Sequence, residues 1–261
     1  LAEYFGAIEG ASLEANKGAY SYAWMIIFAV IAAIMVLIGL YHIRMLPSNQ
    51  IPSTTKKTTS EVGRELVAVI ANFFTKKHIF YYICFIILYR LAEGFIMKIA
   101  PLFLRASREV GGLGLSLKEI GTLNGVFGSA AFVLGSLLAG IYVSKFGLKR
   151  TLFTLCCIFN LPFVAYTFLA VTQPTNVYLI GTCITMEYFG YGFGFVGLTL
   201  FMMQQIAPGK HQMSHYAFAS GIMNLGVMLP GMVSGYFSDL LGYRNFFIYV
   251  LIATIPAFLI T

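Results

Sequence analysis

The chain has 261 residues, of which 59% are apolar and 10% charged, and its mean hydropathy is +0.81. A soluble domain of this length has no core large enough to hide so much apolar surface, so lipid must cover the surplus. The net charge of +7 does not point to nucleic acid, because the Lys and Arg fall in short segments between apolar runs and form no basic domain.

In chain order, a mixed polar opening from Leu1, without an initiating Met, precedes about seven apolar stretches, each roughly 17 to 25 residues and able to cross a hydrocarbon core of about 30 Å. They run over residues 22–46, 79–104, 117–143, 151–171, 177–206, 214–237 and 245–261. The last ends inside an apolar run, so a piece of a longer protein is expected. Between the first two lies a long polar connection with Lys56, Lys57, Arg64, Lys76 and Lys77, which the bias of basic residues toward the inner side assigns to the cytoplasm. Alternation then puts Lys145, Lys149, Arg150 and Lys210 on that same side.

Thr58 and Glu61 have capping-box spacing, and Val62, Leu66, Val69, Ile70 and Phe73 share a helical face opposite Arg64, Glu65 and Asn72. The spacing predicts an amphipathic helix, either lying on the membrane surface or packing against the inner end of the bundle. Ser116 and Glu119 repeat the capping spacing after Gly111, Gly112 and Gly114, marking a turn and a helix entering the membrane. That glycine run is no phosphate loop, since it follows a span and lacks the terminal Gly-Lys-Ser/Thr. Cys84, Cys156, Cys157 and Cys183 lie in apolar runs without ligand spacing, so neither a disulfide framework nor a metal or cofactor is expected. His211 and His215 sit beside Lys210 in a short connection and read as solvated. Asn124, Asn160 and Asn224 suggest hydrogen bonds between helices.

One helix, a long basic connection and six further helices resemble the sixth to twelfth helices of a twelve-helix major facilitator bundle. The connection from Gly140 through Ser144, Lys145, Gly147, Lys149 and Arg150 resembles that superfamily's signature between its eighth and ninth helices, with Ser144 where Asp is frequent. The segments 73–79, Tyr89-Arg90-Leu91-Ala92-Glu93-Gly94, 111–121 and 234–243 resemble the muropeptide permease (AmpG) family. The resemblance implies an all-α membrane protein in the bacterial inner membrane that imports anhydromuropeptides, amino-sugar or glycopeptide solutes, with protons. It also divides the chain into an outer loop with the last helix of the N-terminal half (1–46), a cytoplasmic central loop (47–78) and a C-terminal six-helix half (79–261).

Ionisable groups inside a span cost at least about 2.5 kcal/mol at the helix centre, so each needs a reason. Arg90, Glu93 and Lys98 lie in the second span and Glu187 in the fifth. Arg90 is roughly 16 Å along its helix from Ile79, and Glu187 is about as deep. By the resemblance these are the seventh and tenth helices, which line the solute cavity. Arg90 is expected to bind a solute carboxylate, and Glu93 or Glu187 to carry the coupling proton; the alternative is that Arg90 pairs with Glu93 or Glu187 as a lock between helices. Lys98 either snorkels to headgroups or guides solute access. Glycines follow Glu187 at 190, 192, 194 and 197, suggesting a helix that bends or unwinds, with Tyr188 and Tyr191 placed to stack on sugar rings and Asn124 as a further polar group. A carrier of another anionic solute, such as acetyl-coenzyme A or a siderophore, is the nearest alternative. A membrane enzyme or sensor is more remote, as no zinc motif, serine elbow or Asp-rich metal motif occurs.

Overall fold

The computed structural model describes residues 2, 4–6, 8, 12, 14–46 and 58–261. Lys56 and Lys57 lie outside the described residues, as does the stretch 47–57 of the central connection. Two compact units result, Leu1–Thr58 and Thr59–Thr261.

The first unit is built on α1, Lys17–Met45, a helix of 29 residues. No charged side chain interrupts residues 18–43, and at about 1.5 Å per residue the helix exceeds a hydrocarbon core. Its start is held by Asn16, whose amide oxygen accepts from Ile8 N–H at 2.9 Å while its amide nitrogen donates to the Ile8 carbonyl at 2.8 Å.

The second unit is all-helical. It begins with α2 (Thr59–Phe74), followed by α3 (Ile79–Tyr89) and α4 (Leu91–Arg105). The next span comprises α5 (Leu117–Ile120), a π-helical stretch at Gly121–Gly128 and α6 (Ser129–Phe146). Then come α7 (Leu148–Asn160), α8 (Phe163–Thr172), α9 (Val177–Phe201) with a π-helical end at Met202–Ile206, α10 (Gln212–Ile252) and α11 (Ile255–Ile260). Ser116 closes the expected capping box: its N–H donates to Glu119 Oε2 at 2.8 Å and its Oγ accepts from Glu119 N–H at 3.2 Å.

Among the described residues, five helical stretches are long and apolar enough to cross a membrane, not the seven expected: Lys17–Met45, Ile79–Arg105, Leu117–Phe146, Leu148–Thr172 and Gln212–Ile260. Two causes account for the difference. The helix Val177–Phe201 has the length, but Glu187, three tyrosines and a series of glycines dilute its apolar character. The last two expected spans are merged into one stretch, although Gly242 interrupts the helical backbone there with φ 69° and ψ 160°, a conformation open to glycine. Helical dihedrals otherwise run through Pro230.

α9 is the hub on one side, packed by α6 and α7, while α4 packs along α10 on the other. Close approach depends on missing side chains. A Cβ on Gly192 would overlap the Phe132 carbonyl of α6, and one on Gly194 would overlap the Phe159 side chain of α7. The glycines of α9 therefore admit neighbouring helices to backbone contact, the small-residue packing expected where lipid supplies no hydrophobic drive between helices. α9 stays α-helical throughout Val177–Phe201, so the predicted bending or unwinding is not what these glycines do here. Opposite, Gly94 of α4 makes room for the Pro230 ring of α10.

The buried side chains form two clusters. One contains Phe73, Phe85, Tyr89, Phe159 and Phe201, the other Phe95, Phe103, Tyr166, Phe246 and Phe247. Their outer surfaces are apolar too: Ile141, Met232 and Leu240 are exposed, as a lipid-facing surface requires.

α2 is amphipathic as predicted, and its second half packs on the bundle: Val69 and Phe73 are buried, and Phe73 meets the rings of His215 and Phe218 of α10. His215 is thus buried, contrary to the solvated reading, because α2 folds over it. Lys76, just beyond α2, donates to the carbonyls of Ile206 and, at 2.8 Å, Pro208, where the helix following α9 runs out of amide donors. Partial burial holds its ammonium below the usual lysine value. The asparagines do not bridge helices as expected: Asn160 donates at 3.0 Å to Cys156 O of its own helix, Asn224 is exposed, and Asn124 is described below.

Overpacking a close contact of this kind costs about 1–3 kcal/mol. Gly192→Leu and Gly194→Leu are each expected to lower the melting temperature in detergent, whereas Gly221→Ala, with open space around it, leaves it unchanged or raises it. Lys76→Met is expected to accelerate amide hydrogen exchange across α2 by about tenfold, the loss of charge-assisted bonds to two carbonyls, with α9 unaffected.

Candidate functional site

The helix entering at Ile79 does not run straight through. Arg90 adopts φ −105° and ψ 6°, ending α3 and starting α4, and the helix resumes with Gly94 N–H donating to Arg90 O at 3.1 Å. Neither proline nor glycine sits at this bend, so sequence gave no signal for it. The level of the bend is also where the two apolar clusters meet, Tyr89 belonging to one and Ala92 to the other.

Tyr89, fully buried, anchors the bend by donating from its hydroxyl to the Gly194 carbonyl of α9 at 3.0 Å. Arg90 follows with 4% of its surface exposed, and Glu93 with 5%. Arg90 Nε and Nη2 donate to Glu93 Oε2 and Oε1, a bidentate pair between residues three apart. The same guanidinium lies 5.4 Å from the ring centre of Phe195, and Nη2 is 3.5 Å from the Tyr191 hydroxyl. Arg90 is therefore engaged mainly along its own span. Of the two pairings the sequence left open, Glu93 is the partner and Glu187 is not.

Beside this pair is a cavity of about 160 Å³. Its wall includes Glu93 from α4, Asn124 from the π-helical stretch, Tyr166 from α8, and Glu187, Tyr188 and Tyr191 from α9. Four segments distant in sequence thus bring Asn124, Glu93, Glu187, Tyr188 and Tyr191 around one space, with Arg90 joined to it through Glu93. Asn124 Oδ1 is buried without a hydrogen-bond partner among the described residues. The wall position of Tyr188 is fixed by Gly128, which leaves room for its ring.

Lys98 is exposed, with its stem alongside Gly231, and takes no part in the cavity wall. A larger apolar groove of about 950 Å³ lies between residues 118–134 and α9, and none of the candidate residues lines it. Sequence reading passed over Tyr166 and Phe195. Tyr166 sits in an ordinary apolar run and is stacked on Phe247 at 5.5 Å, with nothing local to distinguish it. Phe195, four residues after Tyr191, continues its helical face toward Arg90, a spacing that was available to be read.

Removing one member of a buried ion pair strands the other charge and costs about 3–5 kcal/mol, whereas apolar replacement of both is frequently near neutral. Arg90→Leu and Glu93→Leu should each markedly lower resistance to thermal unfolding, and the double substitution should recover much of the loss. A strictly additive double-mutant cycle would show that the pair does not couple in the folded protein.

The sequence model of the Major Facilitator Superfamily matches residues 4–208. The chain is 23% identical over 209 residues to the anhydromuropeptide permease of Escherichia coli K12, covering 80% of this chain and 41% of that protein. It is 25% identical over 238 residues to a Rickettsia bellii protein named putative transporter AmpG 1, covering 90% of this chain and 56% of the other. A Rickettsia prowazekii protein named putative transporter AmpG 2 is 27% identical over 194 residues, 72% of this chain and 44% of its own length. The chain thus spans about two-fifths to just over half of these curated relatives. A family match across most of the chain agrees with its all-helical, lipid-facing architecture and with a charged cavity at mid-depth: this multi-pass membrane protein belongs to the Major Facilitator Superfamily.

Proposed function

We propose that the chain is part of a secondary transporter that imports anhydromuropeptides, or closely related amino-sugar solutes, across a bacterial inner membrane together with protons. In this reading the chain supplies the sixth to twelfth helices of a twelve-helix bundle, with residues 1–46 ending the first half, 47–78 forming the cytoplasmic connection and 79–261 forming the second half. Distant similarity to proteins named as anhydromuropeptide permease and AmpG transporters supports the cargo. The observation that carries the mechanism is the buried Arg90–Glu93 pair, whose Glu93 lines a cavity that Glu187 also lines.

Coupling follows from competition for one guanidinium. In the empty site Arg90 compensates Glu93. A solute carboxylate arriving at Arg90 displaces Glu93, which is left without a counter-charge in a desolvated site and takes a proton from the aqueous phase open to the cavity. Solute and proton then occupy the site together, and neither Arg90 nor Glu93 crosses unpaired. Glu93 is favoured over Glu187 for this step because Arg90 holds it directly. Tyr188 and Tyr191 offer ring faces and hydroxyls to a sugar.

The test is uptake of radiolabelled anhydromuropeptide into sealed vesicles containing the full-length protein, with and without an inward proton gradient. Wild type should accumulate it only with the gradient. Arg90→Ala should lower uptake by at least about tenfold, the cost of a charge-assisted contact. Glu93→Gln should keep solute exchange but lose the response to the gradient. Failure of wild type to accumulate the solute removes the cargo assignment; a Glu93→Gln protein that still concentrates solute removes the coupling assignment.

A further inference from the structure

Once existing pairings are counted, two acceptors on the cavity wall are without a donor among the described residues. The guanidinium of Arg90 is committed to both oxygens of Glu93, so that pair is neutral. Glu187 receives no hydrogen bond or ion pair from the described residues, yet it lines the same cavity. The buried amide oxygen of Asn124 is also without a donor and belongs to that wall. Three hydroxyls, of Tyr166, Tyr188 and Tyr191, complete the polar lining. A half-buried carboxyl group and a buried amide oxygen are thus left without donors among the described residues, and a buried acceptor without one is costly.

We infer that Glu187 and Asn124 form a subsite for a donor-bearing head group of the solute, an ammonium group above all. The inference rests on reading this cavity as the solute site and deepens it: the solute is held at two ends, an anionic end at Arg90 and a donor end at Glu187 and Asn124. The space of about 160 Å³ is below the roughly 300–1,000 Å³ of pockets that enclose a drug-sized ligand, so it takes a head group and leaves the remainder of a glycopeptide outside. An ammonium meets both requirements at once, since it supplies the counter-charge that favours an ionised Glu187 and has N–H bonds to spare for the amide oxygen. A purely anionic solute brings no donor to either acceptor.

The experiment compares equilibrium binding of glucosamine and glucose, sugars differing by an ammonium at one ring position, to the full-length protein in detergent at pH 7 by titration calorimetry. No gradient is applied, so proton coupling does not enter. Wild type is expected to bind glucosamine at least about tenfold more tightly than glucose, the scale of one charge-assisted hydrogen bond. Glu187→Leu should abolish that preference. Glu187→Gln, which preserves shape and one acceptor oxygen, should retain a small part of it, and Asn124→Leu should weaken glucosamine alone. Equal binding of both sugars by wild type, no glucosamine binding by wild type, or an intact preference in a Glu187→Leu or Glu187→Gln protein with an unaltered melting profile would overturn the subsite. The uptake assay above fails independently: loss of anhydromuropeptide accumulation with the glucosamine preference intact removes the cargo and leaves the donor subsite standing.

Discussion

A guanidinium and a carboxylate share a bend in the middle of an apolar helix, and the surrounding helices keep both out of contact with lipid. Hydrocarbon does not solvate an open backbone or an unpaired charge, so a break in a spanning helix and an ion pair at mid-depth are tolerable together when protein surrounds them. The bend at Arg90 meets this condition through four contacts. Tyr89 ties it to a carbonyl of α9, Glu93 neutralises the guanidinium, and Phe195 and Tyr191 cover the remaining faces of Arg90. The two aromatic clusters meet at the level of the pair.

The glycines of α9 serve this enclosure by occupying little space. With Gly192 against the Phe132 carbonyl and Gly194 against Phe159, α6 and α7 approach until side chains elsewhere on α9 are forced toward α4 and the cavity. Tyr188 is the clearest case, because Gly128 admits its ring and the polar end is left on the cavity wall. The same residues that look like a flexible hinge in sequence therefore act as a rigid seat. Glycine confers freedom only where neighbours leave room for it, and at Gly242, with nothing near its absent side chain, the backbone does depart from helix.

How far sequence alone reached follows the range of the interactions involved. Position along a helix is a local count, so Arg90, Glu93 and Glu187 were legible as ionisable groups far from the ends of long apolar runs, and the Ser116–Glu119 capping box was legible from its spacing. Helical period and apolar runs gave the all-α class and the amphipathic character of α2. Burial of His215 was not legible, since it depends on α2, more than a hundred residues earlier, folding over α10. The bend at Arg90 was equally silent, because no residue type marks it and tertiary contacts impose it. Five stretches instead of seven have the length and apolar character of a span for a different reason: polar and glycine-rich composition in α9 weakens an apolar signal without shortening the helix, and the last two apolar runs join into one stretch interrupted only at Gly242.

Which carboxylate pairs with Arg90 also matters for how the site can work. A pair between Arg90 and Glu187 would join the span containing α4 to α9, and opening it would require two packed helices to separate or a buried charge to be stranded between them. Pairing within one span has no such requirement. Arg90 and Glu93 are three residues apart across a bend, so exchange of Glu93 for a solute carboxylate needs a change of side-chain rotamer, while Tyr89, Gly192 and Gly194 keep the helices in register. In the proposed exchange Arg90 keeps a carboxylate partner before and after, and Glu93 is either paired or protonated. In the proposed two-ended site Glu187 is left to the other end of the solute, and an acid on a closely packed helix suits that task because its position does not depend on whether the pair opposite is open or closed.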